Sequence, residues 1–401
     1  AIKPATGGSI IELQAEFPDR ISDSSVTPTN DNTSAITSPV APDCQLYNVI
    51  GENSYSAVGQ WAAYNFRVTE TGFYNMRYKQ SALEGMYVCR AIKLAGGSEE
   101  YGYGLADGTP TAPFTEAYDA EFQYNKKWQS TYVGCGNTEF MFYFEEGYEY
   151  TLYLECSLGT LKDLIQRAEQ VLENVNACYL RILQLTGSEP DKNRDYDFLN
   201  VMPDVLVTLL ESAVELMNIK EELESLCGTS GSHTATLETV AILLNTMGKD
   251  DGEDIARNMS TFKSYLGTLG TWINDSKKGV IMLDSISVVP MATEESIPVA
   301  KAGFFTSIWY EISSFIYSFF TNYDQMGLTV VPDEDSTAVS VWLAMGRDQS
   351  LIWRSMVDAK GGFTDTYGTA VTLKLVTAGT LLPSILSGKG PDVYLGLGSS
   401  D

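Results

Sequence analysis

Residues 150–175 read YTLYLECSLGTLKDLIQRAEQVLENV, and within this stretch the spacing of apolar side chains changes from two residues to three and four. Up to Ser157 the pattern has the period of a strand, whose side chains point alternately to opposite faces. From Leu161 onward, Leu164, Ile165, Ala168, Val171, Leu172, Val175, Cys178, Ile182 and Leu185 recur at helical steps until Gly187 and Pro190 stop them. Leu158 and Gly159 therefore mark a boundary between a β unit and a helical one.

Upstream of that boundary, residues 8–156 carry runs of Val, Ile, Tyr, Phe and Thr broken by Gly, Asn, Asp, Pro and Ser. Two hairpins are expected: one joins Trp61–Val68 to Phe73–Tyr78 through Glu70-Thr71-Gly72, and the other joins Phe140–Phe144 to Tyr148–Leu154 through Glu145-Glu146-Gly147. Many short strands at this spacing predict an antiparallel β-sandwich or jelly roll. Downstream, three further helices are expected at Phe198–Cys227, Thr234–Met247 and Ile255–Ile273, with Gly228 at the position after the second. In the last, Ile255, Met259, Phe262, Leu266, Leu269 and Ile273 step by four and three, the seam of a bundle.

Strand character returns at residues 280–290, VIMLDSISVVP. A single strand after a bundle has no sheet of its own, so it is expected to complete the interrupted sandwich. The domains read as 1–158 plus 279–291 for the sandwich, with 159–278 as an inserted antiparallel helical bundle. Residues 292–327 form a linker and an aromatic amphipathic helix, with Phe305, Ile308, Trp309, Ile312 and Phe315 on one side. Its polar face is too broad for a membrane span, so docking onto another domain is expected, with interfacial membrane contact as the alternative. Residues 328–401 alternate strand and helix: strands at Ala338–Met345, Val371–Val376 and Asp392–Gly396, helices at Asp348–Gly361 and Thr380–Gly388. That rhythm implies parallel pairing, with ligands beyond the carboxyl ends of the strands. Three strands are too few for a two-lobed domain, so this segment reads as an incomplete start of one.

Composition removes several functions. The 401 residues hold 26 Lys plus Arg against 52 Asp plus Glu, a net charge of -26, which repels nucleic acid and anionic membranes. With one histidine, His233, neither multi-histidine metal sites nor most nucleophile–histidine pairs can be built. It reads as a solvated loop residue. The six cysteines show no metal-ligand spacing and are expected as buried thiols, with a bridge from Cys89 to Cys135 or Cys156 left open.

The segments SVWLAMGRDQ (340–349), VTLKLV (371–376) and AGTLLPSILSGKGPDVYLG (378–396) resemble the N-terminal lobe of extracellular solute-binding proteins of bacterial carbohydrate ABC importers. The resemblance implies a non-catalytic, cell-surface, lipid-anchored protein that closes two lobes on a sugar and hands it to a membrane permease. Arg347 and Asp348, just past the first strand, are then ligand-binding candidates.

The front of the chain resembles jelly-roll carbohydrate-binding modules, through IIELQAEF (10–17), GQWAAYNFRVTETGFYNMRY (59–78) and LDSISV (283–288). That resemblance implies a structural calcium held by Gln14, Glu16 and Asp284, with Gln14 standing where the pattern has a carboxylate. A solvated acidic surface is the competing reading, and no cofactor is required. Sugars pack on exposed aromatic rings. Tyr101, Tyr103 and Trp128, in expected loops, are the candidates, whereas Trp61, Tyr64 and Phe66 read as core. Two further functions stay open: a structural or adhesive surface scaffold without sugar affinity, and a glycoside hydrolase, which needs two carboxylates about 5–10 Å apart.

Overall fold

The computed structural model describes residues 8–291 apart from 32–33, 36, 39–46, 83–87, 99–116, 123–124 and 229. Beyond 291 it describes 309–310, 313, 339–343, 363–369, 371–376, 381–386, 388 and 390–396. The first strands are β1 (Ile11–Gln14), β2 (Arg20–Ile21), β3 (Pro28–Thr29), β4 (Val49–Gly51), β5 (Trp61–Phe66), β6 (Gly72–Ala82) and β7 (Val88–Gly96). There follow β8 (Tyr118–Phe122), β9 (Asn125–Tyr132), β10 (Gly134–Cys135), β11 (Thr138–Glu139), β12 (Phe142–Phe144) and β13 (Tyr150–Ser157). The long helices α1 (Leu161–Thr186), α3 (Pro203–Cys227), α4 (Ser232–Gly248) and α5 (Ile255–Ser276), with the short α2 (Phe198–Val201), precede β14 (Ile281–Pro290).

Two antiparallel sheets face each other. One runs β12-β6-β14-β4-β3, with β1 also on β14 and β9 on β6; the other runs β2-β5-β13-β7-β8. Alternate residues of facing strands meet between them: Tyr64, Phe66, Leu152 and Leu154 from one sheet, Tyr74, Met76, Tyr78, Ile286 and Val288 from the other. Burying each such side chain contributes about 1.5–3 kcal/mol.

Strand β14 pairs with β1, β4 and β6, and all ten of its residues are buried. The strand that follows the helices is thus a central strand of the sandwich, and the bundle is inserted ahead of it. The two expected hairpins are not formed. β5 pairs with β2 and β13, whereas β6 pairs with β9, β12 and β14 in the other sheet; β12 and β13 are likewise parted. Residues 67–71 and 145–149 are arches across the edge of the core, and the Glu146 amide donates to Thr71 Oγ1 at 2.9 Å, joining one arch to the other. Periodicity marks which face of a strand is apolar but not which neighbour it takes.

In the bundle, α1 packs on α3 and α5, and α4 on α3 and α5, closing a ring of four helices around Leu164, Val175, Leu209, Leu216, Leu244 and Phe262. The helix expected over Phe198–Cys227 is broken at Met202, whose backbone (φ -148°, ψ 62°) is non-helical, because Pro203 disfavours the α conformation in the residue before it. Gly228 adopts the left-handed conformation that ends α3 (φ 67°), as expected. His233 lies inside the first turn of α4 and is half-buried, so it is not a loop residue.

The chain passes between sandwich and bundle twice, and each passage carries a glycine pressed against β7. A Cβ on Gly159 (φ 49°) would lie 2.5 Å from Cys89 Sγ, and one on Gly279 would lie 2.8 Å from Arg90 Nη1. Cys89, Cys135 and Cys156 form no disulfide, so neither bridge from Cys89 is formed. Cys156 is opposite Arg90 while Cys89 is opposite Ser157, so the Cys89 and Cys156 side chains leave on opposite faces of the sheet.

A separate sheet sets β15 (Val339–Leu343) between β16 (Val371–Leu375) and β17 (Val393–Leu395), all parallel as expected, around Val341, Leu343 and Leu373. Two short helices accompany it: α6 (Phe363–Tyr367), which periodicity had not marked, and α7 (Leu381–Leu386). The expected helix over 348–361 and most of 292–338 lie outside the described residues. No helix among the described residues is long and apolar enough to cross a membrane.

Candidate functional site

The pairing of β1 with β14 sets Gln14 opposite Ser285, and the next amide, Ala15 N–H, donates to the Asp284 carbonyl at 2.9 Å. In β14 the register against β6 slips between Leu283 and Ser285, so Asp284 sits on a bulge, a device that re-aims a side chain. The backbones of Gln14, Glu16 and Asp284, taken together from the sequence, therefore lie near one another at one end of this strand pair. Glu16 is 3% exposed and Asp284 not at all.

Their electrostatics differ. Asp284 Oδ2 lies 2.6 Å from the Lys79 ammonium, also buried, and Oδ1 accepts the Ser38 amide at 2.8 Å. Burial still pushes the Asp284 carboxyl up to about 6, with Lys79 opposing the rise. Glu16 has no such partner. Both of its oxygens and Gln14 Oε1 are buried without a hydrogen bond beyond the residue's own amide. Burial, aided by the charge of Asp284, pushes the Glu16 carboxyl up to about 9. Unmet buried oxygens cost about 1–3 kcal/mol each unless something compensates them. Hard oxygen donors of this kind suit calcium. Among the described residues no group of three or more His, Cys, Asp or Glu side chains is placed to hold a metal ion.

The sugar-binding candidates fare differently. Trp128 is on strand β9 and buried, with Val49 and Met282 against it. Its indole N–H donates at 3.0 Å to Asp31 Oδ2, which also accepts from Thr37 at 2.9 Å. Trp128 is therefore a structural anchor and not a platform, because the two lysines before it continue a strand instead of opening a loop. Tyr101, Tyr103, Arg347 and Asp348 lie outside the described residues. Tyr64 and Phe66 are core, but Trp61 turns to the other face of the sheet, edge-on to Tyr153 with ring centroids 5.3 Å apart.

Sequence reasoning passed over Lys79, because Asn75, Arg77 and Gln80 in the same strand make another polar residue unremarkable. It also passed over Arg90, which has no exposed surface and donates to the carbonyls of Tyr55 and Gly279 at 3.0 and 2.7 Å.

No curated protein matches the chain. Among solved structures, a cycloisomaltooligosaccharide glucanotransferase of Paenibacillus sp. complexed with cycloisomaltoheptaose is 13% identical with a TM-score of 0.25. The likeness covers 37% of this chain and 16% of that one, so the chain spans less than a fifth of its length. A CBM35 module from Cellvibrio japonicus is 10% identical over 37% of this chain and 83% of its own, with a TM-score of 0.24. A family 35 carbohydrate-binding module from Clostridium thermocellum is 9% identical over 39% and 85%, with a TM-score of 0.19. Likeness at this level bears on neither ligand nor activity. The inserted helices give the more specific result: residues 163–275, from the first turn of α1 to the last of α5, match the four-helix bundle domain of bacterial solute-binding proteins.

Proposed function

We propose that this chain is part of an extracellular, non-catalytic carbohydrate-binding protein that serves a bacterial ABC importer. The observation that carries the reading is the match of residues 163–275 to the solute-binding-protein bundle. The parallel sheet β16-β15-β17 supports it, since open sheets of this kind hold ligands beyond the carboxyl ends of their strands. Arg347 and Asp348 lie four and five residues beyond the end of β15 in sequence and are the proposed sugar contacts, with a lobe closing over the bound sugar. A membrane permease would receive the sugar, and a lipid anchor would hold the protein at the cell surface.

The jelly roll is proposed to be architectural. Trp128, one of its three aromatic candidates, is buried on Asp31, which favours a supporting role over glycan capture. At its edge Gln14, Glu16 and Asp284 would hold a structural calcium, Asp284 being shared with Lys79. The ion would supply positive charge where Glu16 has none.

A glycan microarray probed with the full-length protein tests the reading, alongside an assay for reducing-sugar release. Retention of mono- or oligosaccharides without hydrolysis is expected. Steady hydrolysis abolished by one carboxylate substitution would replace the binding protein with a glycoside hydrolase.

A further inference from the structure

A cavity of about 460 Å³ opens at the seam where the bundle meets the sandwich. Its walls come from β7, from α4, from the last turns of α5, and from both passages of the chain, around Ser157–Leu161 and Asp275–Val280. The volume falls within the range of about 300–1,000 Å³ usual for small-molecule sites.

The lining is chemically selective. Trp272 contributes to one wall: the ring is mostly packed in the bundle core, 9% exposed, and its indole is fixed by a 2.6 Å hydrogen bond from Nε1 to the His233 carbonyl. Hydroxyl side chains line much of the remainder. Those of Ser157, Thr268 and Thr271 donate their protons elsewhere, to Asp119 at 2.9 Å, to the Ser264 carbonyl at 3.1 Å and to the Gly267 carbonyl at 3.0 Å. Toward a ligand these three oxygens are therefore acceptors. The carboxylate of Asp275 adds further acceptor oxygens, and its charge is balanced by Lys278 Nζ at 2.9 Å. A neutral site rich in acceptors beside a fixed aromatic wall calls for a neutral ligand that carries several O–H donors and an apolar face. An anion would meet the field of a chain with a net charge of -26.

We infer that this seam cavity binds a small neutral polyhydroxy compound of monosaccharide size, a site separate from the proposed lobe contacts. Such a ligand touches both connections at once, so it fastens the bundle to the sandwich when bound.

The full-length protein is titrated with D-glucose, D-mannose, D-galactose and myo-inositol, with binding read by calorimetry and by saturation-transfer NMR. Two variants at exposed positions of α5 test the location: Thr268→Phe fills the mouth and Asp275→Ala removes the acceptor carboxylate. Saturable binding of at least one compound, weakened about tenfold or more by each variant while the circular dichroism melt is unchanged, is the expected result. No saturable binding of any of the four overturns the inference. Measured in an Asp348→Ala background, binding that survives both substitutions also overturns it, and binding lost with Asp348→Ala alone does so while leaving the lobe reading intact.

Discussion

The guanidinium of Arg90 donates to the carbonyl of Gly279 at 2.7 Å, joining strand β7 to the residue at which the chain re-enters the sandwich. The same side chain donates to the Tyr55 carbonyl at 3.0 Å and stacks over the Tyr55 ring, 4.8 Å from its centroid. This buried cation is held through Nη1 and Nη2 by carbonyls and an aromatic face instead of a carboxylate, while its Nε has no hydrogen-bond partner. Arg90→Met is expected to lower stability by about 2–4 kcal/mol, because the carbonyls it served are left buried and unmet. Urea unfolding measures it, and a loss below about 1 kcal/mol would deny Arg90 this role.

Gly279 faces that guanidinium with no room for a side chain. Gly279→Ala brings a Cβ to 2.8 Å from Nη1 and 3.0 Å from Val88 Cγ1. A destabilisation of about 1–3 kcal/mol is expected, with Gly159→Ala costing as much or more because its positive φ adds strain. Thermal melts of the two variants against wild type supply the comparison.

Lys79 and Asp284 form a buried ion pair at 2.6 Å. Lys79→Met leaves the Asp284 carboxylate without its counter-charge, so a loss of about 3–5 kcal/mol is expected near neutral pH. Asp284 titrates near 6 even with Lys79 present, and without it the carboxyl moves higher still. The deficit of Lys79→Met should therefore shrink at about pH 5, where Asp284 takes up a proton. An equal deficit at both pH values would contradict the pairing.

Glu16 sets a pH dependence of definite sign. Its carboxyl is raised from 4.5 to about 9 in the folded protein, so the folded state binds more protons than the unfolded state between those values. In chelator, its contribution is complete below pH 4.5 and is lost as pH rises through that window. Glu16→Gln removes this slope and makes the chelated protein more stable at about pH 8. Calcium at that pH should raise the wild-type melting temperature and leave Glu16→Gln unmoved. A calcium-independent wild type would remove the proposed ion.

Trp128 provides a further check on the jelly roll. Trp128→Phe loses the bond to Asp31 and is expected to cost about 1–2 kcal/mol. Sugar affinity should be unchanged, because the ring is an internal anchor. A specific loss of affinity with stability intact would return Trp128 to the binding face.

The insertion was legible in the sequence for a simple physical reason. The switch of apolar period at Leu158 and the solitary strand at 280–290 left β14 with no partner except the strands upstream. Helix seams such as Ile255, Met259, Phe262 and Leu269 were legible because bundle packing depends on local steps of three and four. Strand partnership was not, since β5 and β6 have the alternation of a hairpin yet belong to opposite sheets. The carboxylates at Glu16 and Asp284 emerged only through a family resemblance, and Lys79 beside Asp284 went unread because an ion pair across a bulge leaves no periodic trace. Trp128 misled for a related reason: two lysines ahead of an aromatic residue look like a loop but here continue an edge strand.

The proposed sugar-binding function is tested most directly by isothermal calorimetry of the full-length protein against mono- and oligosaccharides. A saturable exothermic isotherm for at least one of them, with Kd of about 0.1–100 μM and weakened by Asp348→Ala, is the predicted result. A folded protein that yields no binding heat with any of them would contradict the assignment and leave a surface scaffold in its place.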